Sequence, residues 1–274
     1  MVTKDQRRRQ LAREKFERQQ QRRVSERSKY RRRNAVIAAV VAVVVAAGGA
    51  SWALGLGSGS TKDDAAASAS TSPSASATSK APDPCAKAAA GSVATKTWKK
   101  EPSVTIDKAA KYVFTMKTTC GDIAVNMDAA NAPHTVNSFK FLSDNGYFDH
   151  TKCHRLTTSG IYVLQCGDPT GQGSGGPGYT IPDENLKAKS ISKGTYPAGT
   201  VAMANTGSKH TGGSQFFLVY KDSTLPASYT PFGTISSSGM TVLNKIAAAG
   251  EANGTGDGAP NATVVINKAT VTTS

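Results

Sequence analysis

Gly212-Gly213-Ser214-Gln215-Phe216-Phe217-Leu218-Val219-Tyr220 (GGSQFFLVY) sets the terms on which this chain folds. Two glycines lead into an apolar run rich in aromatic and β-branched residues, the pattern of a buried strand. Neighbouring side chains on a strand point to opposite faces. Phe216 and Leu218 therefore serve one face, and Gln215 and Phe217 share the other. An amide is a costly way to fill a core, because a buried amide needs partners. The Gln215–Phe217 face is the one expected to look into a site.

Outward from this strand, the apolar runs are short and the punctuation is glycine-rich. Tyr112–Thr118 reads as a strand, and Cys120-Gly121-Asp122 as the turn into Ile123–Met127. Residues 132–142 suit a helix, with Pro133 in its first turn, Val136, Phe139 and Leu142 on one face, and Gly146 available to end it. Cys153–Leu156, Tyr162–Cys166, Thr200–Ala204, Phe232–Ile235 and Val264–Val271 read as further strands, and Met240–Ala249 as a second helix. Many antiparallel strands with only two helices predict a mainly β domain, a closed barrel or a sandwich.

The charge is unevenly spread. Of 33 Lys and Arg, 14 fall in residues 1–34 against four acids, so +10 of the total +14 sits in that tail. Residues 35–57, AVIAAVVAVVVAAGGASWALGLG, carry no charge and are long enough to cross roughly 30 Å of hydrocarbon as a helix. A basic flank before such a run places the N-terminus in the cytoplasm. We read a retained transmembrane signal anchor, a single pass with the folded domain on the extracytoplasmic face. A cleaved signal peptide followed by secretion is the alternative, although the apolar run exceeds the usual h-region of about 7–15 residues. The basic tail has the density of a nucleic-acid arm, but anionic membrane lipid and orientation account for it, and no nucleic acid is expected. Residues 58–108 then read as a Ser/Ala-rich flexible linker, and 109–274 as the folded domain, expected to be monomeric.

Cys85, Cys120, Cys153 and Cys166 all lie on the extracytoplasmic side of the expected span. An even count there permits two disulfides, with three connectivities. A Cys153–Cys166 bridge across paired strands and a Cys85–Cys120 bridge pinning the linker to the first hairpin form one such set; buried free thiols are the other outcome. The spacings fit no compact zinc pattern, and the four histidines have no ligand spacing. Gly171–Gly176 lacks the strand–loop–helix setting of a phosphate cradle, and no G-x-S-x-G elbow appears. No metal and no cofactor is expected.

Five blocks carry a resemblance: His154-Arg155-Leu156 with Tyr162–Asp168 (YVLQCGD), Val201–Gly207 (VAMANTG), GGSQFF, Pro182–Leu186 (PDENL) and Phe232-Gly233. Taken together they are similar to the cyclophilins, the cyclosporin-binding class of peptidyl-prolyl isomerases, here in a membrane-anchored bacterial, actinobacterial-like form. The resemblance spans about residues 110–270. It implies a closed eight-stranded antiparallel barrel capped by two helices, isomerisation of X-Pro bonds in unfolded or exported polypeptides, and proline-containing peptide segments as partners. It assigns Arg155 as the catalytic arginine and Gln165 as its support. Tyr162 falls where the family usually has a Phe pocket floor, and Val163 where it has Met. Ala204 and Asn205 match the strand that binds peptide backbone. Gln215 matches a polar rim, Phe217 and Leu225 pocket walls, and Tyr229 a position often held by His. Thr224 stands where cyclosporin-sensitive members carry Trp. Between Arg155 and Gln165 there are two residues more than in the commonest pattern.

The chemistry asks for little. Rotation about X-Pro is slow because amide resonance must be broken, at roughly 18–20 kcal/mol. Catalysis needs only tighter binding of the twisted amide than of the planar one. A fixed guanidinium can donate to the proline nitrogen as it regains its lone pair. A non-catalytic module that holds proline-containing partners in the same groove is the alternative.

Overall fold

In the computed structural model the described residues are 83–191 and 193–273. The expected tail (1–34), span (35–57) and first part of the linker (58–82) lie outside them. Among the described residues, no helix is long and apolar enough to cross a membrane.

Among the described residues, twelve strands and two α-helices follow one another: β1 (Tyr112–Thr118), β2 (Gly121–Met127), α1 (Pro133–Asp144), β3 (Thr151–Lys152), β4 (Arg155–Thr157) and β5 (Val163–Cys166) come first. After them come β6 (Thr195–Tyr196), β7 (Thr200–Met203), β8 (Phe216–Val219), β9 (Ser223–Thr224), β10 (Pro231–Ile235), α2 (Ser237–Ala248), β11 (Asp257–Gly258) and β12 (Val265–Thr273). Ten strands form one antiparallel sheet in the order β11-β4-β5-β8-β7-β10-β2-β1-β12-β3, and β6 pairs with β9 apart from it. The fold is mainly β with two helices, as expected. In place of eight strands closed by a ladder, the order runs to two ends, β11 and β3. The difference has a local cause: the extended stretch 151–157 divides its partners, pairing through β3 with β12 and through β4 with β5.

One core lies inside this curled sheet. Phe114, Phe139, Phe148, Phe216 and Phe232 are all fully buried there, and Phe139 meets Phe216 edge-on at 5.4 Å. The expected face of α1 is the buried one, since Val136, Phe139 and Leu142 are inaccessible. Its N-terminus is not capped locally, because Ala132 has no side chain for the task. Glu184, some fifty residues away, caps it instead. Its carboxylate accepts from the His134 and Thr135 amides at 3.0 and 2.9 Å and from the Thr135 hydroxyl at 2.8 Å. Helix α2 begins earlier than the sequence suggests, at Ser237, because Ser236 caps it through the Gly239 amide.

The linker reading needs correction over 83–108. These residues have neither helix nor strand, yet they run as a strap fixed to the sheet. Cys85 is bridged to Cys120, and the Ala86 amide donates to Thr119 O at 2.8 Å. Trp98 packs against Phe141 and Tyr147, and its amide donates to Pro177 O at 2.8 Å. Gly178, at φ +91°, permits that approach, since a Cβ there would come within 2.7 Å of the Trp98 carbonyl. The Asn137 side chain accepts from the Thr105 amide at 3.0 Å. Apart from the Cys85–Cys120 bridge, the Ser/Ala-rich composition gave no sign of these anchors, each of which has a distant partner. The second bridge is Cys153–Cys166, so both proposed pairings form.

Two predictions follow from the packing. Reducing Cys85–Cys120, which closes a 35-residue separation, should cost about 3–4 kcal/mol on the loop-entropy account, read from urea unfolding of Cys85→Ser. Burial pushes the Tyr147 and Tyr179 hydroxyls up to about 12. Their unfolded value is about 10, so their contribution is whole below pH 10 and drains away as pH climbs through about 12. The urea midpoint should fall across that window, less steeply in Tyr179→Phe.

Candidate active site

The site grows from one row across the sheet. In register, Arg155 on β4 faces Gln165 on β5, Gln165 faces Phe217 on β8, and Phe217 faces Ala202 on β7. Directly paired residues share a face, so this row looks out from the barrel core. The alternate positions on β5 and β8, Leu164, Cys166, Phe216 and Leu218, turn inward to that core.

A chain of hydrogen bonds links the polar members. Arg155 Nη1 donates to Gln165 Oε1 at 3.2 Å. Gln165 Nε2 donates to Gln215 Oε1 at 2.9 Å, and Gln215 Nε2 to Gly175 O at 2.9 Å. The loop bearing Gly175 is held in turn by buried Asp168. Its carboxylate accepts from the Thr170 amide and hydroxyl at 2.7 and 2.8 Å, and from the Gln172 and Ser174 amides at 3.2 and 3.0 Å. Burial by itself would push that carboxyl up, but the Thr170 hydroxyl and loop amides outweigh it and hold the pKa below the ordinary range.

Asp257 on β11 completes the arrangement, and no sequence motif announced it. Its carboxylate takes Arg155 Nε and Nη2 at 2.7 Å each, a two-point pairing. Asp257 pairs in register with Thr157, two residues beyond Arg155, which makes the contact a same-face diagonal. Hydrogen bonding from the guanidinium holds the Asp257 carboxyl below the usual carboxylate range. With one edge of the fork held by Asp257 and Nη1 steered by Gln165, the guanidinium is oriented while N–H capacity remains for a ligand.

Beside this chain lies an apolar cluster. Val163, Phe217, Tyr196, Ala202, Val219 and Ile191 are buried, and Ala204, Leu225 and Tyr229 pack against them. Phe217 meets Tyr229 edge-on at 5.5 Å. Tyr196, which the sequence did not single out, forms the back of this cluster. Its hydroxyl donates to Tyr229 O at 2.8 Å and accepts from the Tyr229 amide at 3.2 Å. Asn205 follows directly; its side chain is spent on Ser228 O and the Gly207 amide, at 2.8 and 2.9 Å. Tyr162 does not join the others. It stands just ahead of β5 and packs against Tyr220 at 5.8 Å, with Lys221 Nζ 4.5 Å from its ring centre. Thr224 lies exposed on β9.

Comparison with known proteins matches the stretch of chain that carries this groove. A family model described as cyclophilin type peptidyl-prolyl cis-trans isomerase/CLD covers residues 113–271. The chain belongs to the cyclophilin family. Relatives include the probable peptidyl-prolyl cis-trans isomerase B of Mycobacterium leprae, 49% identical over 55% of this chain and 54% of that protein. The protein of the same name from Mycobacterium tuberculosis is 48% identical over 57% of this chain and 53% of its own length. The chain thus spans about half the length of these two relatives. A Helicobacter pylori peptidyl-prolyl cis-trans isomerase is 37% identical over 51% of this chain and 83% of its own. The matched residues 113–271 contain Arg155, Gln165, Gln215 and the Phe217 cluster but leave out the strap.

Asp257→Asn keeps the shape and removes the charge. Isomerisation of a tetrapeptide should drop by about two- to fivefold, in kcat rather than KM, the scale of a partly exposed ion pair. An unchanged kcat would remove Asp257 from the arrangement.

Proposed function

We propose that this cyclophilin domain catalyses cis-trans isomerisation of X-Pro bonds by stabilising the twisted amide. The observation that carries the reading is Arg155, pinned between Asp257 and Gln165 beside the Phe217–Tyr229 cluster. The proline ring docks against Val163, Phe217, Leu225 and Tyr229, which bury its apolar surface. The backbone at Ala204 and Asn205 holds the preceding residue as an added strand. Arg155 then donates to the proline nitrogen as it becomes pyramidal, an interaction absent from the planar ground state. Gln165 and Gln215 keep the guanidinium from swinging away. No acid, base or nucleophile enters the cycle.

The same proposal places the domain outside a cell membrane, anchored through residues 35–57 with the basic tail on anionic lipid, acting on unfolded or exported chains. The uncharged run after a 14-residue basic complement supports it, as do two disulfides, which persist in oxidising compartments.

The test is X-Pro isomerisation by the full-length protein and by Arg155→Ala. Loss of a preorganised cationic donor should lower kcat/KM by about a hundredfold while the thermal midpoint holds. Equal rates would sink the mechanism. Tight peptide binding with no rate above background would instead favour a proline-peptide holding module.

A further inference from the structure

The strap brings two charges to the groove that the mechanism above does not use. Lys99 and Lys100 stand between fixed points: Trp98 is wedged against Phe141, and Glu101 is paired with His134 Nδ1 at 2.7 Å. Both lysines are exposed, and neither has a carboxylate partner among the described residues. They line a cleft of about 920 Å3 whose lining also includes Gln165, Gln215, Ala204 and Asn205. Glu101 is the one acid in that lining, and its carboxylate is engaged by His134. With two lysines against one carboxylate, the cleft lining is net positive beside the amide chain that steers Arg155.

Ala204 sets the direction of the bound chain. It packs against the cluster around Phe217 and also lines the cleft, so it borders both. If Ala204 and Asn205 hold the residue before the proline, the chain further upstream crosses the cleft towards the strap. An extended chain advances about 3.3 Å per residue, so the side chains two and three positions before the proline come opposite the basic pair.

We propose that Lys99 and Lys100, brought to this cleft by the strap, make it select an acidic side chain upstream of the proline. The inference rests on the isomerase reading for the path of the peptide. The lysines attract through water-exposed charge, so their effect is modest and screened by salt. Fixing their backbone between Trp98 and Glu101 keeps the pair at the rim, where a free linker would carry it away. The strap is thus part of the binding surface, tied down by Cys85–Cys120.

The test uses the full-length protein with labelled peptides carrying Glu, Gln or Lys two or three positions before the proline. Affinity is read by fluorescence anisotropy and isomerisation by NMR exchange. The expected result is binding of the best Glu peptide about three- to tenfold tighter than its Gln counterpart, with the Lys peptide weakest. That Glu/Gln ratio should collapse towards one in the Lys99→Gln/Lys100→Gln double variant, and in wild type at about 0.5 M salt. A ratio of one in wild type, or an undiminished ratio in the double variant, overturns the proposal. Because the ratio is taken within each protein, a general loss of affinity does not imitate the effect. Anisotropy reads binding whether or not turnover occurs, so a peptide bound with the expected preference yet never isomerised would count against the enzymatic reading alone.

Discussion

Strand β8 has to satisfy two clusters at once. All four residues from Phe216 to Val219 are buried, yet the pleat sends them alternately to opposite sides. Phe216 and Leu218 enter the barrel core, and Phe217 and Val219 form the apolar part of the groove. A slip of one residue would put the pocket wall into the core and the core residue into the pocket. The two clusters therefore hold each other in register, and neighbouring strands inherit the constraint. Once β8 is set, Gln165 must face Phe217 and Arg155 must face Gln165.

The polar half of the groove depends on that register and adds rigidity. Three side-chain amide and guanidinium groups could adopt many rotamers in isolation. Here each is tied at both ends, from Asp257 through Arg155, Gln165 and Gln215 to Gly175. Buried Asp168 fixes the far end by gathering the amides of its own loop. The Cys153–Cys166 bridge flanks the paired residues Arg155 and Gln165, so covalent closure and the ladder act on the same hairpin. Such preorganisation matters most for a reaction whose only chemical demand is a donor in a fixed place.

The strap extends the groove beyond the residues matched by the family model. Its route over the sheet is set by one disulfide, one backbone hydrogen bond at a glycine and one tryptophan wedged into an aromatic group. None of these is a repeated or periodic feature. Together they turn a segment of linker-like composition into a wall of the cleft beside Gln215.

Local pattern was enough to read most of the folded part. Alternation in GGSQFFLVY assigned Phe216 and Phe217 to different sides, and the 3.6-residue spacing of Val136, Phe139 and Leu142 identified the buried face of α1. Ordered motifs pointed to Arg155, Gln165, Gln215 and the apolar residues around Phe217, because each motif is a short contiguous stretch of chain. Partnerships across long separations were beyond reach. Asp257 meets Arg155 across 102 residues, Glu184 caps a helix 49 and 50 residues away, and Tyr196 backs the pocket from a two-residue strand. Tyr162, just ahead of β5, packs against Tyr220, a direction that motif order does not decide. The sequence by itself determined which residues could form strands, core and a donor groove, since those follow from side-chain chemistry and periodicity. Only the tertiary structure decided who holds the arginine, who caps the helix and where the strap lies, since those contacts exist only once distant segments meet.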